Sequence, residues 1–140
     1  MEKKDTYTKL NKLVGKLKNA EDPKRKYEFI LWLGKKLKIP NNNILIPENK
    51  VQGCVSEVFV KASFQGGKLY WEGYSDALIT KGLLAFLING MNKLTPKEVV
   101  NINNKFIEDT GLKASLTPSR SNGFLNILLK MQSQANDFLS

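Results

Sequence analysis

The sequence predicts an α+β domain in which helices cover one face of a small antiparallel β-sheet. Two observations carry this prediction. Apolar residues recur at helical spacing before residue 40 and after residue 75, and they alternate with polar residues from 57 to 74. The length of 140 residues, with 41% hydrophobic and 25% charged residues, fits one folded domain over 1–140. The sequence shows no internal repeat and predicts no second domain.

Two amphipathic helices are predicted in the first forty residues. The first covers residues 6–18, where lysines occupy many positions between the apolar residues. Its apolar stripe consists of Leu10, Leu13, Val14 and Leu17. The second begins at Asp22-Pro23, a capping side chain followed by proline at the first helical position, and stops at Ile39-Pro40. Its apolar face consists of Tyr27, Ile30, Leu31 and Leu37.

An antiparallel hairpin follows the loop after the second helix. Residues 57–64 alternate with period two, interrupted only at Phe59, which predicts a half-buried strand whose apolar positions include Phe64. Gly66-Gly67 supplies the positive φ angles of a tight turn, and residues 69–74 resume with aromatic residues typical of strands. Trp71 and Phe59 are assigned to the core.

A third, broadly apolar helix is predicted after the hairpin. Ser75 is placed as its cap and Asp76 in its first turn, where a carboxylate suits the helix dipole. Gly82 is expected to permit close approach of another element, and Asn89-Gly90 ends the helix. Its apolar residues are Leu78, Ile79, Leu83, Phe86 and Leu87.

Cap signals place the remaining helices. Thr95-Pro96-Lys97-Glu98 is a capping box that opens a short helix through Val100. Asn103 or Asn104 caps another short helix, which Gly111 closes. Thr117-Pro118 starts the long C-terminal helix. Its apolar positions are Phe124, Ile127, Leu128, Met131 and Ala135.

The charge of the chain is strongly basic and uneven. The net charge is +9, and residues 1–50 hold 13 of the 22 Lys and Arg but 6 of the 13 Asp and Glu. This surplus indicates either a solvated helix face or a surface for nucleic acid or an acidic partner, with nucleic acid the less favoured of these. No apolar run approaches the roughly 18 residues of a membrane span, so we expect a cytoplasmic protein without membrane association.

Cys54 is the only cysteine, and the chain has no histidine. An internal disulfide, a tetrahedral zinc site and an intramolecular Cys–His pair are therefore excluded, and we expect neither a metal nor a cofactor in this chain. Cys54 follows Gly53 at the junction of a polar loop and the first strand. The thiol is either inert packing or a carrier that accepts a sulfur-bound group and needs a second molecule to remove it.

Three signatures in order along the chain resemble the SufE-type cysteine desulfuration proteins. They are Val51-Gln52-Gly53-Cys54 with Ser56, Ser75-Asp76-Ala77 with Lys81-Gly82-Leu83, and Leu116-Thr117-Pro118-Ser119-Arg120-Ser121-Asn122-Gly123. Thr95-Pro96 lies between the second and the third. The resemblance covers nearly the whole chain and implies the SufE fold, a small antiparallel sheet packed against helices that IscU-type scaffolds share.

The resemblance also implies a function. SufE-like proteins accept persulfide sulfur from a SufS-type cysteine desulfurase, stimulate that enzyme, and pass the sulfur to a SufBCD-type scaffold for iron-sulfur cluster assembly. The pyridoxal phosphate of this chemistry belongs to the desulfurase. Such a protein has no independent turnover and works as a monomer or weak homodimer. The alternative is a small basic binding domain, for nucleic acid or an acidic partner, in which Cys54 is inert.

The resemblance assigns the sulfur-accepting role to Cys54. The further candidates, for shaping the Cys54 loop or binding a partner, are Gln52, Gly53, Ser56, Asp76, Lys81, Ser119 and Arg120. Ser115 stands where some relatives have histidine, so activation of Cys54 depends here on the donor's site or on nearby positive charge. We expect the loop to have two settings, one with the sulfur against apolar side chains and one extended into the desulfurase.

Overall fold

The computed structural model describes residues 6–139, and its N-terminal part is a pair of helices packed on a third. Helix α1 spans Thr8–Asn19 and α2 spans Pro23–Lys35. Leu10 and Leu17 of α1 are buried, as the apolar stripe predicts. Asp22 caps α2 by accepting a bond from the Lys24 N–H (3.0 Å). The cap signal at Asp22-Pro23 therefore located the start of α2 correctly.

Helix α2 differs from the prediction at its C-terminal end and on its buried face. The helix ends at Lys35, so Leu37 and Ile39 lie beyond it. Tyr27, expected on the apolar face, is 38% exposed, whereas the neighbouring Lys26 is buried. The Lys26 ammonium donates to the backbone carbonyl of Leu17 at the end of α1. A free carbonyl at a helix C-terminus needs a donor and favours a cation, which explains why a lysine is buried here.

The two predicted strands form the hairpin. Strand β1 spans Val58–Gln65 and pairs antiparallel with β2, Lys68–Ser75, in a register that places Val58 opposite Ser75 and Gln65 opposite Lys68. Gly66 and Gly67 have φ of 57° and 80°, as the turn requires. The buried face consists of Val58, Val60, Ala62, Leu69, Trp71, Gly73 and Ser75. Phe64 departs from this alternation; it is 47% exposed and stacks on Phe138 with ring centroids 5.3 Å apart.

Other parts of the chain cover stretches of both outer edges of this hairpin. The Gln134 side chain donates from Nε2 to the Val60 carbonyl (2.7 Å) and accepts the Ala62 N–H at Oε1 (2.8 Å). On the β2 side, the Leu69 N–H donates to the Leu94 carbonyl (2.8 Å), and the Lys93 N–H donates to the Leu69 carbonyl (2.9 Å). Backbone groups that a wider sheet would pair are thus paired by a side chain and by a loop.

Helix α3, Leu78–Met91, lies at the centre of the molecule and is buried along most of its length. An added Cβ at Gly82 would lie 2.1 Å from the Ile30 carbonyl oxygen, so the predicted close approach is confirmed and brings α2 onto α3. The predicted start of α3 is wrong: Ser75 ends β2, Asp76 precedes the helix, and Leu78 is 72% exposed.

Three further helices complete the fold. Helix α4 spans Pro96–Val100 and carries the predicted capping box, α5 spans Phe106–Asp109, and α6 spans Pro118–Asn136. Lys105, not an asparagine, precedes α5, and the Asn103 side chain accepts a bond from the Lys105 N–H (2.9 Å). Gly111 has φ of 69° after this helix. Phe124 of α6 makes edge contacts with Phe86 and Phe106, which joins α6 to the central core.

Candidate functional site

Residues 51–57 form a loop whose two ends are held together beside the hairpin. The Val51 N–H donates to the Val58 carbonyl (2.8 Å), and Val51 itself is buried. At the other end, the Glu57 N–H donates to the Asp76 carboxylate (3.0 Å). Asp76 therefore ties the loop to the end of β2 and does not occupy the first turn of α3. The loop presents Cys54 from a fixed base.

Gly53 has a backbone conformation and a contact that explain why it is glycine. Its φ is +79°, in the left-handed region that other residues rarely adopt. Its carbonyl accepts a hydrogen bond from Asn126 Nδ2 of α6 (3.1 Å). A Cβ at Gly53 would lie only 2.6 Å from that same nitrogen. A larger residue would therefore both strain the backbone and push the Asn126 amide away.

Cys54 is half-buried and packs against the edge of the core. Its thiol lies 3.8 Å from the Gly123 carbonyl oxygen of α6, a weak S–H donor contact. An added Cβ at Gly123 would stand 3.5 Å from the sulfur, an ordinary van der Waals distance, so the thiol lies directly against this turn of α6. By contrast, the next residue, Val55, is 76% exposed. This arrangement corresponds to the sheltered setting expected for the loop.

Arg120 connects the loop to two helices. Its Nη1 donates to the Ser56 hydroxyl (2.9 Å) and to the Thr80 hydroxyl of α3. Its own backbone N–H donates to the Thr117 hydroxyl that caps α6 (3.3 Å). The guanidinium is consequently held near Cys54 by hydrogen bonds on both sides.

Burial and charge act in opposite directions on the thiol. Burial raises the pKa of Cys54, because a thiolate loses hydration there, and the positive charge of Arg120 lowers it by less. The net pKa lies above that of an ordinary thiol. Ser115 contributes no base, since its hydroxyl donates to the Pro23 carbonyl (2.7 Å). The resting form of Cys54 in the isolated protein is therefore the neutral thiol.

The structure brings together part of the predicted set. Gly53, Ser56 and Arg120 surround Cys54, and Asp76 anchors the end of the loop. Gln52 and Ser119 are exposed. Lys81 lines a groove of about 200 Å³ between α2 and α3 instead, together with Leu31, Gly34, Lys35 and Leu78.

Sequence reasoning missed Asn126 and Thr80. Asn126 contacts a residue 73 positions away, and Thr80 contacts one 40 positions away. Asn126 carries no signal of its own; it lies two i+3 steps after Arg120 along one row of α6. Helical spacing identifies a shared face, but it does not say what that face contacts.

Residues 6–139 contain no cluster of three or more Cys, His, Asp or Glu side chains that could hold a metal ion. In the same part of the chain, each helix is too short or too polar to cross a bilayer.

Fold and site together define a class of protein: a small α+β domain that carries one half-buried cysteine on a loop pinned to its last helix. The family model described as "SufE: Fe-S metabolism associated domain" matches residues 11–135. The chain therefore belongs to the SufE family, which is associated with iron-sulfur metabolism.

Individual relatives agree with this assignment. An uncharacterized SufE-like protein of Synechocystis is 50% identical over 129 residues, which cover 92% of this chain and 81% of that protein. SufE-like protein 1, chloroplastic/mitochondrial, of Arabidopsis thaliana is 40% identical over 91% of this chain. The cysteine desulfuration protein SufE of Plasmodium falciparum is 33% identical over 79% of it. The matched segments span only 34% and 46% of these last two proteins.

A solved structure confirms the fold class. The solution structure of a hypothetical protein from Thermus thermophilus superposes with a TM-score of 0.81. The superposition covers 94% of this chain and 96% of that one, at 24% sequence identity. The α+β architecture predicted from periodicity is therefore that of a known structure.

Proposed function

We propose that this protein is a sulfur acceptor in iron-sulfur cluster assembly. In this proposal Cys54 takes sulfur from the persulfide of a SufS-type cysteine desulfurase, stimulates that enzyme by removing the sulfur, and passes it to a SufBCD-type scaffold. The observation that carries the proposal is the single thiol of a SufE-family chain, held half-buried on a loop whose base is fixed. The protein acts in the cytosol, as a monomer or weak homodimer, and has no turnover alone.

The transfer is an exchange at sulfur without net oxidation or reduction. The Cys54 thiolate attacks the outer sulfur of the donor's Cys–S–SH group, and a new S–S bond forms on Cys54. The bond between the outer sulfur and the donor's Sγ breaks, and the donor cysteine leaves as a thiolate. The proton lost from Cys54 ends on the donor thiolate or on solvent. Pyridoxal phosphate acts only in the earlier, sulfur-extracting step of the partner.

The local environment of Cys54 suits a carrier better than an independent catalyst. The raised pKa keeps the free thiol protonated and slow to react until a partner changes its surroundings. Once loaded, a persulfide lying against Gly123 and the edge of the core is partly shielded from reductants and oxidants. The lack of a second cysteine means that delivery requires another molecule.

Mass spectrometry after incubation with a SufS-type desulfurase, pyridoxal phosphate and cysteine tests the proposal. We expect Cys54 to gain the mass of one sulfur atom and the desulfurase to turn over faster. Cys54→Ser is the matched control and should show neither effect. If Cys54→Ser stimulates the desulfurase as well as the wild type does, the carrier role is wrong. Strong, salt-dependent binding to nucleic acid without any effect on the desulfurase would favour the basic binding domain instead.

A further inference from the structure

Three residues on one ridge of α6 contact the Cys54 loop in reverse order. Asn126 contacts Gly53, Gly123 contacts Cys54, and Arg120 contacts Ser56. The spacing of three residues between successive contacts keeps them on one side of the helix. The loop therefore runs antiparallel to α6 and is attached to it at both ends of the segment that carries the sulfur.

These attachments differ in strength. Arg120 makes charge-assisted bonds to Ser56 and Thr80, and such bonds are about twice as strong as neutral ones. The thiol contact with Gly123 is long and weak at 3.8 Å. The bond from Asn126 to Gly53 is a single neutral hydrogen bond that is exposed to solvent, although the Asn126 side chain is half-buried. The Gly53 end is therefore the one that opens more readily, with the Ser56 end as the pivot.

Gly53 and the Asn126 side chain also lie in close contact. The Asn126 amide occupies the position beside Gly53 where a side chain would otherwise stand, with only 2.6 Å between Nδ2 and an added Cβ. The same amide bonds the carbonyl that immediately precedes Cys54. Breaking this one bond frees the peptide unit next to the thiol without disturbing the core residue Val51 or the anchor at Asp76.

We propose that Asn126 is a positioning residue that holds the Cys54 loop closed against α6, and that the loop opens about the Ser56–Arg120 contact to present the sulfur. The inference deepens the proposed function and rests on it, because it concerns how the same thiol alternates between shelter and presentation. Asn126 touches neither the sulfur nor a donor in this scheme; it acts through Gly53.

Alkylation of Cys54 by iodoacetamide in the isolated protein tests the role of Asn126. Removing the donor in Asn126→Ala should raise the alkylation rate by about two- to tenfold, the range that one neutral hydrogen bond contributes to an opening equilibrium. The pH midpoint of the reaction should also fall, because a freed thiolate gains hydration. Asn136→Ala, at the exposed end of the same helix, is the matched control and should leave rate and midpoint unchanged.

Asn126→Asp keeps the shape of the side chain but cannot donate to the Gly53 carbonyl when ionised. At pH values above the thiol pKa, this variant should be alkylated at a higher limiting rate than the wild type, as Asn126→Ala should be. It tests the same hydrogen bond if the alanine variant folds poorly. Wild-type limiting rates in both variants, with folding confirmed by circular dichroism, would overturn the proposal.

A second readout uses the desulfurase. If the loop must open before docking, the apparent affinity for the desulfurase is the intrinsic affinity multiplied by the fraction of protein with an open loop. Asn126→Ala raises that fraction, so it should stimulate the enzyme at a lower protein concentration. An unchanged half-maximal concentration would contradict an opening step before docking. If the wild type acquires no sulfur from the desulfurase, the proposed function is wrong. The alkylation comparison needs no donor and therefore tests the loop separately.

Discussion

The fold favours the neutral thiol at Cys54, whereas the proposed function requires the thiolate. Half-burial raises the pKa of the thiol, and the Arg120 guanidinium offsets only part of that effect. A sulfur acceptor must nevertheless react as a thiolate. We infer that contact with the donor supplies the missing activation, either by moving Cys54 into a more polar site or by adding positive charge.

The first prediction concerns the pKa of this thiol. In the native protein, the pH midpoint of Cys54 alkylation should lie above the midpoint measured for the same chain in concentrated urea. Because the folded pKa is the higher one, the associated stability is fully present below the unfolded pKa and is lost as pH rises through the folded pKa. A native midpoint below the denatured one would contradict the environment described for Cys54.

The second prediction concerns Arg120. Replacing it in Arg120→Ala leaves the Thr80 hydroxyl, on a residue only 4% exposed, without its bond and detaches Ser56. We expect the free energy of unfolding to fall by about 1–3 kcal/mol in urea titrations. Arg25→Ala replaces the other, exposed arginine and should change it by less than about 0.5 kcal/mol. Equal effects of the two substitutions would show that the Arg120 contacts add no stability.

Sequence reasoning identified the residues around Cys54 better than it identified their contacts. Gly53, Ser56 and Arg120 lie beside Cys54, whereas Lys81 lines a separate groove. Asn126 was not singled out, because an asparagine within an amphipathic helix has no local signal for a partner. Its bond to Gly53 depends on how α6 packs against a loop 73 positions earlier.

Among the helices, two glycines that both lie in a helix interior have opposite surroundings. Gly82 of α3 lies against the backbone of Ile30, and an added Cβ would stand 2.1 Å from a carbonyl oxygen that cannot move aside easily. Gly15 of α1 has nothing within 4 Å of the same added atom. The first glycine makes the α2–α3 contact possible, and the second serves no visible packing purpose.

The third prediction compares alanine at these two positions. Gly82→Ala should lower the free energy of unfolding by at least about 2 kcal/mol, because α2 and α3 must separate to admit the methyl group. Gly15→Ala should raise it by about 0.5–1 kcal/mol, since alanine favours the helix and meets no neighbour. Urea unfolding of both variants measures the difference. A stable Gly82→Ala protein would mean that the helices can move apart freely.

Among the secondary-structure elements, the sequence correctly predicted the turns and helix starts that depend on residues close by in the chain. The Gly66-Gly67 turn and the caps at Asp22, Thr95 and Thr117 begin or join elements where expected. The errors involve contacts between elements. Asp76 bonds the Glu57 N–H across the hairpin ends and so stays outside α3. In α2, the free carbonyl of α1 explains the burial of a lysine that periodicity assigns to the surface.

In the whole molecule, one continuous cluster of buried residues links helices and hairpin. It includes Leu17 of α1, Ile30 of α2, Trp71 of β2 and Phe124 of α6. The prediction of a single domain over 1–140 leads us to expect that these parts unfold together. The two tryptophans lie in different environments: Trp71 is buried in the sheet, whereas Trp32 is 46% exposed on α2 and stacks on Phe29.

The fourth prediction uses these tryptophans as separate reporters. Trp32→Phe leaves fluorescence from the sheet, and Trp71→Phe leaves fluorescence from α2. In each variant, the urea transition followed by fluorescence should coincide with the transition followed by far-ultraviolet circular dichroism. Trp71 Nε1 has no hydrogen-bond partner among residues 6–139, so phenylalanine removes no hydrogen bond there. A fluorescence transition displaced from the dichroism transition in either variant would indicate that the sheet and α2 unfold separately.

The side chain of Gln134 gives the two-stranded hairpin protection against self-association. Its amide occupies the outward-facing Val60 carbonyl and Ala62 N–H at the middle of β1. Unpaired strand edges are templates on which strands of other copies add, and this is a common route to aggregation. Because Gln134 of α6 already bonds these two backbone groups, a strand of a neighbouring molecule cannot pair with them to start an intermolecular sheet. This edge of the two-stranded hairpin can therefore stay ordered without pairing with strands of other copies.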